Sequence, residues 1–454
     1  MEQICSKDLC TACAACLNIC PKEAIKMVEE GAAGYVYPAI DQTLCIDCGL
    51  CVKTCPVNHP VSQHTPLKAY AAISRDEEDL MSSASGGASS LLAQEVLRHH
   101  GVIYGCGQEN YRKVMHMRIE DPSDAWKIKD SKYVQSHIGT IYKQVKTDLQ
   151  AGRQVMFSGT PCQVAGLRNY LRKDYPNLLL VDLVCHGVPS QKLLRDNIGE
   201  ILAQSGTPDG DYRLSFRRKQ RQTSGLDLRY GVFLTKDAIP AVRGRLVDFP
   251  HNNYITAFMA GLIFRENCFS CPYACGQRVS DVTIADFWGL VPCSVPGDRG
   301  VSLMLVNTEK GQVATNAIQS YAQMEERPVS EAIRGNGQLQ HPSKRPPERE
   351  RFLQQYAYAP QQAYAENLRR YRKELRIQKI KITLIKTVRS MPVVGSAARY
   401  VKHALSKAKK SAYDTQSNSL LLVRPWPNAQ TGAEMYRIVE KVLSRLRDKG
   451  MERG

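Results

Sequence analysis

Residues 10–21 read CTACAACLNICP, and residues 45–56 read CIDCGLCVKTCP. Each is a complete Cys-x2-Cys-x2-Cys-x3-Cys-Pro run, and the second begins thirty-five residues after the first. Three thiolates so closely spaced on a tight loop cap three irons of a cube, and the fourth iron must be reached from elsewhere. In this spacing the fourth cysteine serves the other cube. The expected ligand sets are Cys10, Cys13, Cys16 with Cys55, and Cys45, Cys48, Cys51 with Cys20, holding two 4Fe-4S clusters. Cys-x2-Cys pairs also bind zinc, but zinc gives the Cys-Pro ending no role. Cys5 stands outside the pattern and reads as an incidental thiol.

Outside these runs the chain has the composition of a large folded protein. Its 454 residues, 43% of them apolar, suffice for roughly three domains. Sixteen cysteines in a small secreted protein would suggest disulfides. Here they fall in short-spaced groups within a long chain whose start, MEQICSKDL, lacks a charged-then-apolar export pattern, so metal ligation is the better explanation. The longest strongly apolar stretch, Ile255 to Phe264, is about half of what a helix needs to cross a bilayer. A cytoplasmic protein is expected. The net charge of +17 is mostly local, because residues 369–410 carry fourteen basic residues against one acid, Glu374.

A Pro-containing polar stretch, VNHPVSQHTP at 57–66, reads as a connection. From Lys68, strand-like apolar runs (Val102 to Tyr104, Val155 to Phe157, Leu178 to Val184, Val282 to Ala285, Ser302 to Val306) alternate with helical patterns, which predicts an α/β core over 68–325. After about residue 330 the strand signals stop and the chain reads as an appendage.

Cysteines recur in this core. The strand ending at Ser158 runs into Gly159-Thr160-Pro161-Cys162 and a helix pattern. The strand Leu178 to Val184 runs into Cys185-His186, and Ser190 is positioned to cap the following helix. If the two strands are parallel, both thiols lie at the edge where open α/β sheets put their ligands. Cys268 and Cys271, on a loop after a helical segment, can close a four-thiolate site. From spacing alone, Cys162 and Cys185 read equally well as small buried apolar residues, and Cys275 competes as a ligand. Cys106 and Cys293 read as structural.

The segments SGTPCQVAGL (158–167), CHGVPS (185–190) and CFSCPYACGQRVSDVTIADFWG (268–289) resemble the beta subunit family of coenzyme F-420 hydrogenase/dehydrogenase, over about residues 1–325. The chain is similar to bacterial members with a two-cluster ferredoxin domain in front, which are associated with surface polysaccharide synthesis. The resemblance implies a core that binds FAD, or FMN, and a third 4Fe-4S cluster on Cys162, Cys185, Cys268 and Cys271. It also implies electron passage between clusters and a substrate or hydride carrier.

The implied fold is an α+β ferredoxin-like two-cluster domain at 1–60, then an α/β flavin and iron-sulfur core. That core has an N-terminal part at 61–150 and a C-terminal part with the third cluster at 151–330, followed by a helical basic C-terminal tail at 331–454. Ser83, Ser85, Gly86 and Gly87 precede a helix pattern. Free N–H groups there attract phosphate, although a serine-rich helix cap is the plainer alternative. The segment resembles the family's flavin loop, and residues 131–136 resemble a second flavin segment. Lys132 is then expected at the pyrophosphate or the N1 edge and Tyr133 against a ring, with Gln135 and Ser136 beside them. His186 is a candidate proton donor or a support for the neighbouring cluster.

The basic stretch 369–410 interleaves Leu375, Ile377, Ile380 and Leu384 with its charges, the pattern of a helix lying on an anionic membrane face or on an acidic partner. No nucleic acid is expected, since the aromatic platform of single-strand binders is missing. Two outcomes stand side by side: an oxidoreductase, or an electron-transfer subunit that serves a partner enzyme.

Overall fold

In the computed structural model, which describes residues 2–222, 225–236, 239–240 and 249–378, the two cysteine runs fold as a backbone repeat. Ala12 and Ala14 take left-handed conformations (φ 52° and 60°), and thirty-five residues on so do Asp47 and Gly49 (φ 51° and 70°). A left-handed alanine costs about 1–2 kcal/mol, and these bends wind each run tightly before a one-turn helix, Ala15–Ile19 or Leu50–Thr54. Between the runs lies an antiparallel hairpin, β1 (Ile25–Glu30) and β2 (Tyr35–Ile40).

The remaining strands are β3 (Lys68–Ser74), β4 (Val102–Asn110), β5 (Lys113–Ile119), β6 (Val155–Gly159), β7 (Leu178–Leu183), β8 (Arg213–Gln222), β9 (Gly225–Lys236), β10 (Ile239–Pro240), β11 (Val282–Asp286), β12 (Ser302–Val306) and β13 (Ala322–Arg327). Eight of them form one sheet in the order β13-β3-β12-β11-β7-β6-β4-β5. Its centre, β4, β6, β7 and β11, is parallel. Antiparallel strands at both margins make the sheet mixed rather than purely parallel.

Apolar runs form the centre because both faces are covered. Val102, Tyr104, Val155, Phe157, Leu178 and Leu180 point to one face and pack on the helices Ile141–Gln150 and Pro161–Leu171. Ile103, Met156, Leu179 and Val181 point to the other, toward the helix Ala88–Arg98. Each such side chain contributes about 1.5–3 kcal/mol of burial.

Residues 1–372 are one compact unit. Cys13, Ala14 and Ala15 are part of the same apolar cluster as Phe157 and Val164, so the N-terminal cysteine loop is seated directly on the sheet's helical layer. The 57–66 connection is pinned by a bridge between His64 and Arg278. Beyond residue 330, an appendage by sequence, the helices Arg349–Tyr356 and Pro360–Asn367 bury Phe352, Tyr356, Tyr364 and Leu368 in a second apolar cluster with Tyr254 and Phe264. The aromatic spacing on those two helices, not the surrounding charge, decides their place. Residues 373–454 form a second unit, of which 373–378 are described, as helix. The basic amphipathic stretch therefore lies for the most part outside the described residues. Among the described residues no helix is long and apolar enough to cross a membrane.

Candidate metal centres

Each cysteine run contributes three thiols to its own hollow and one to the other's. Cys45, Cys48, Cys51 and Cys20 line a hollow together with Ile25, Ile40 and Leu50. Cys10, Cys13, Cys16 and Cys55 line a second. All of these thiols are free. Among the described residues no three His, Cys, Asp or Glu side chains gather as a single-ion site. A lone zinc needs its thiolates about 2.3 Å from one point, whereas a cube takes each thiolate on a different iron. The donor chemistry of both sets, four ligand thiols lining each hollow, fits the cube.

Cys5, an incidental thiol by sequence, lines the second hollow as a fifth thiol. Its S–H is shared with Cys10 and Cys55, which lowers those thiols to about 7 and about 6, with backbone N–H groups of Ala12, Val57 and Asn58 adding to the effect. Burial pushes Cys13 up to about 12 and raises Cys16. Such thiols release protons when metal binds. Position five residues ahead of the run was the only signal for Cys5.

In the core, parallel pairing of β6 and β7 places Ser158 beside Val181 and Gly159 beside Asp182, so the loops bearing Cys162 and Cys185 leave the same edge. Cys162 enters the first turn of the helix Pro161–Leu171 behind a Thr160–Gln163 capping box. Ser190 caps the next helix, its Oγ accepting from the Leu193 amide at 3.2 Å. Cys268 sits in the short turn Glu266–Ser270, and Cys271 ends it. Burial raises Cys185, and the charges of Cys268, Cys162 and Cys271 raise it further. Cys268 is pushed up to about 11 and Cys271 to about 12 by burial, and both also feel Cys162. The structure thus brings these four thiols together. Cys275 turns away, its Sγ donating to Gln63 Oε1 at 3.4 Å. The two groups of thiols meet at Gly166, on the Cys162 helix, where an added Cβ would lie 2.9 Å from Cys13 Sγ.

The flavin candidates are engaged with protein. Ser83 Oγ donates to Asp79 O (2.7 Å) and Ser85 Oγ to Val301 O (3.0 Å). Gly86 lies against the sheet, where a Cβ would come within 2.2 Å of Ala72 O, and Gly87 (φ 92°) opens the helix Ala88–Arg98. Lys132, its pKa lowered by burial, donates to the carbonyls of Lys129 and Asp130. Tyr133 accepts from Arg217 Nε and packs on Phe216 and Phe258. Gln135 bridges Thr11 O and Arg265. Ser136 Oγ lies 2.8 Å from Nδ1 of buried His116, whose Nε2 lies 3.0 Å from Ser158 O. A ring N–H directed at that carbonyl leaves Nδ1 to accept from the serine.

The sequence marks Asp286 as a residue just after a strand, placed to face a flavin or to close a turn, but gives no sign of the basic partners it has beside them. Asp286, at the carboxyl end of β11, pairs twice with Arg217 (2.9 and 2.6 Å). Burial opposes ionisation of this carboxyl, but the Arg217 charge holds it below the usual carboxylate range, with help from His186. Lys219 donates to Leu80 O and Ser85 O, and burial lowers it to about 8. Arg217 and Lys219 come from β8, whose sequence RLSFRRKQRQ looks like a solvated strand. The backbone carbonyl of His186 accepts from Ser343 Oγ at 2.6 Å.

Residues 152–332 match the family described as the C terminus of the beta subunit of coenzyme F420 hydrogenase/dehydrogenase, and residues 9–59 match the 4Fe-4S dicluster domain. The coenzyme F420-dependent sulfite reductase of Methanocaldococcus jannaschii is 22% identical over an alignment of 338 residues that covers 70% of this chain and 47% of that protein. The chain therefore spans about half the length of the curated relative it matches. A chain of the F420-reducing NiFe hydrogenase complex from Methanosarcina barkeri aligns with a TM-score of 0.37 at 16% identity, over 68% of this chain and 92% of that one.

Proposed function

For a chain that joins a 4Fe-4S dicluster domain to the C-terminal domain of the coenzyme F420 hydrogenase/dehydrogenase beta-subunit family, we propose an iron-sulfur oxidoreductase in which electrons pass between the N-terminal thiol sets and a core set. The observation that carries this is the seating of Cys13 against Gly166, on the helix that bears Cys162. The two crossed sets hold two clusters, and Cys162, Cys185, Cys268 and Cys271 hold a third. When bound, the clusters supply one-electron transfer, and a flavin or deazaflavin supplies the conversion to hydride chemistry.

The chain's own residues set the conditions for that traffic. Backbone N–H groups of Ala12, Val57 and Asn58 point at the sulfurs of Cys10 and Cys55 and favour the thiolate form, and the Ala24 N–H donates to Cys20 Sγ at 3.4 Å. Aliphatic side chains, among them Ile25, Ile40 and Leu50 in one hollow and Ile4 and Val57 in the other, line the walls beside the thiols. At the carboxyl edge of β7 and β11, Arg217, Lys219 and Asp286 supply fixed charge beside His186 for an anionic substrate or carrier.

The test is an anaerobic titration of the cluster-loaded protein with reduced coenzyme F420, reduced flavin and reduced nicotinamide, with flavin released by acid measured alongside. An intermediate of surface polysaccharide synthesis, the substrate class carried by the resemblance, enters the same assay as acceptor. Bleaching of the cluster absorbance by one of the two-electron donors is expected. Clusters that accept electrons from dithionite but from none of these donors would favour an electron-transfer subunit serving a partner enzyme.

A further inference from the structure

Among the largest fully buried side chains are two arginines, Arg265 and Arg278, each 1% exposed. Arg278 has its counter-charge, with Nη2 3.1 Å from the Asp182 carboxylate, itself 0% exposed. Arg265 does not. Its Nη1 donates to Val36 O at 2.8 Å and to Gln135 Oε1 at 3.2 Å, its Nη2 to Cys10 O at 2.9 Å, and its Nε to Asn267 Oδ1 at 3.3 Å. Its flat face lies 4.7 Å over the Tyr37 ring. Among the described residues none of its hydrogen-bond partners is a carboxylate. The neighbouring acid, Glu266, is taken by Arg345 and Arg349. A guanidinium out of water with only neutral partners is costly, so a native fold that keeps one supplies negative charge nearby.

The position of Arg265 says where that charge comes from. The side chain holds the carbonyl of Cys10, a thiol of the N-terminal set, and the residue lies three positions before Cys268 of the core set, whose amide bonds back to its carbonyl. The thiols that feel its charge are Cys10, Cys162 and Cys268. A cube on four thiolates is anionic, and becomes more so on reduction. We infer that Arg265 is the shared counter-charge of the Cys10-Cys13-Cys16-Cys55 cluster and the core cluster, a positioning residue that raises both potentials and fixes the path between them. This rests on the cluster assignments of the proposed function.

The experiment is an EPR-monitored potentiometric titration of the full chain, purified without oxygen, with iron counted per chain. Arg265→Gln removes the charge and leaves a shorter, neutral amide in its place, and both midpoint potentials are expected to move to more negative values. Arg265→Lys is expected to keep them near those of the parent protein. Gln135→Glu leaves the arginine in place and sets a carboxylate against it. It is expected to shift the potentials in the same direction as Arg265→Gln, and it decides the matter if Arg265→Gln fails to load iron. Fully loaded variants with unmoved potentials overturn this inference alone. Parent protein that holds no clusters overturns it together with the proposed function.

Discussion

Gly166→Ala is the sharpest perturbation of the seam between the N-terminal loop and the core. The new Cβ would lie 2.9 Å from Cys13 Sγ, 3.0 Å from Cys13 Cβ and 3.1 Å from Tyr142 Oη. None of these is a free side-chain end. Cys13 is fixed between the left-handed Ala12 and Ala14, and Tyr142 donates to Gln163 O at 2.7 Å. Overpacking of this kind costs about 1–3 kcal/mol, which at 1.4 kcal/mol per decade is roughly a five- to 150-fold change in an equilibrium. Because the strain falls on a ligand of one cluster, about four of roughly twelve irons per chain should leave faster by that factor in an anaerobic chelator challenge. Gly199→Ala is the control, since Gly199 is also helical but has nothing within 4 Å of its Cβ position. It gains only helix propensity, about 0.5–1 kcal/mol. Identical iron release from the Gly166→Ala, Gly199→Ala and parent proteins would refute the claim that Cys13 is a ligand seated on the Cys162 helix.

Three further outcomes are expected. Cys185→Ala should purify with about four irons fewer per chain than the parent, while Cys275→Ala keeps the full complement; the reverse result would reassign the core ligands. Asp182→Asn leaves Arg278 buried without its partner, so unfolding should become easier by about 3–5 kcal/mol, read from denaturant midpoints. A loss under about 1 kcal/mol would show that the neutral partners of Arg278 suffice. His116 is held neutral, its pKa lowered by burial to about 4 from 6.5, so as pH falls the unfolded chain binds the proton first. The folded form therefore loses up to about 3 kcal/mol between about pH 6.5 and pH 4. His116→Gln should flatten that part of the stability profile, and parallel profiles for the two proteins would contradict the assignment.

The features legible in the sequence were those encoded locally. Cysteine spacing depends on a few residues of backbone, so the crossed pairing of Cys20 and Cys55 with the opposite runs is readable from the spacing alone. The runs at 102, 155, 178, 282 and 302 announced themselves because strands covered on both faces need no polar alternation. Long-range pairing was hidden. β3 and β13 join the sheet through partners more than two hundred residues apart, and AQMEER, the sequence of β13, carries no strand signature of its own. β8 has the sequence of a solvated strand, and the partners of its charges, Asp286 and carbonyls of distant segments, come together only in the fold. Arg265 was invisible for a related reason: a single arginine after an apolar helix reads as a helix end, and only packing shows that water is excluded from it. The serine and glycine pattern at 83–87 is readable two ways, since a phosphate loop and a strand-to-helix turn whose hydroxyls bond to the Asp79 and Val301 carbonyls use the same residue types.

The most direct measurement is the iron and acid-labile sulfide content of the full chain purified without oxygen. Three cubes predict about twelve of each per chain. A content near eight would remove the core cluster and with it the route past Gly166, and colourless protein that carries only zinc would contradict the account at its root.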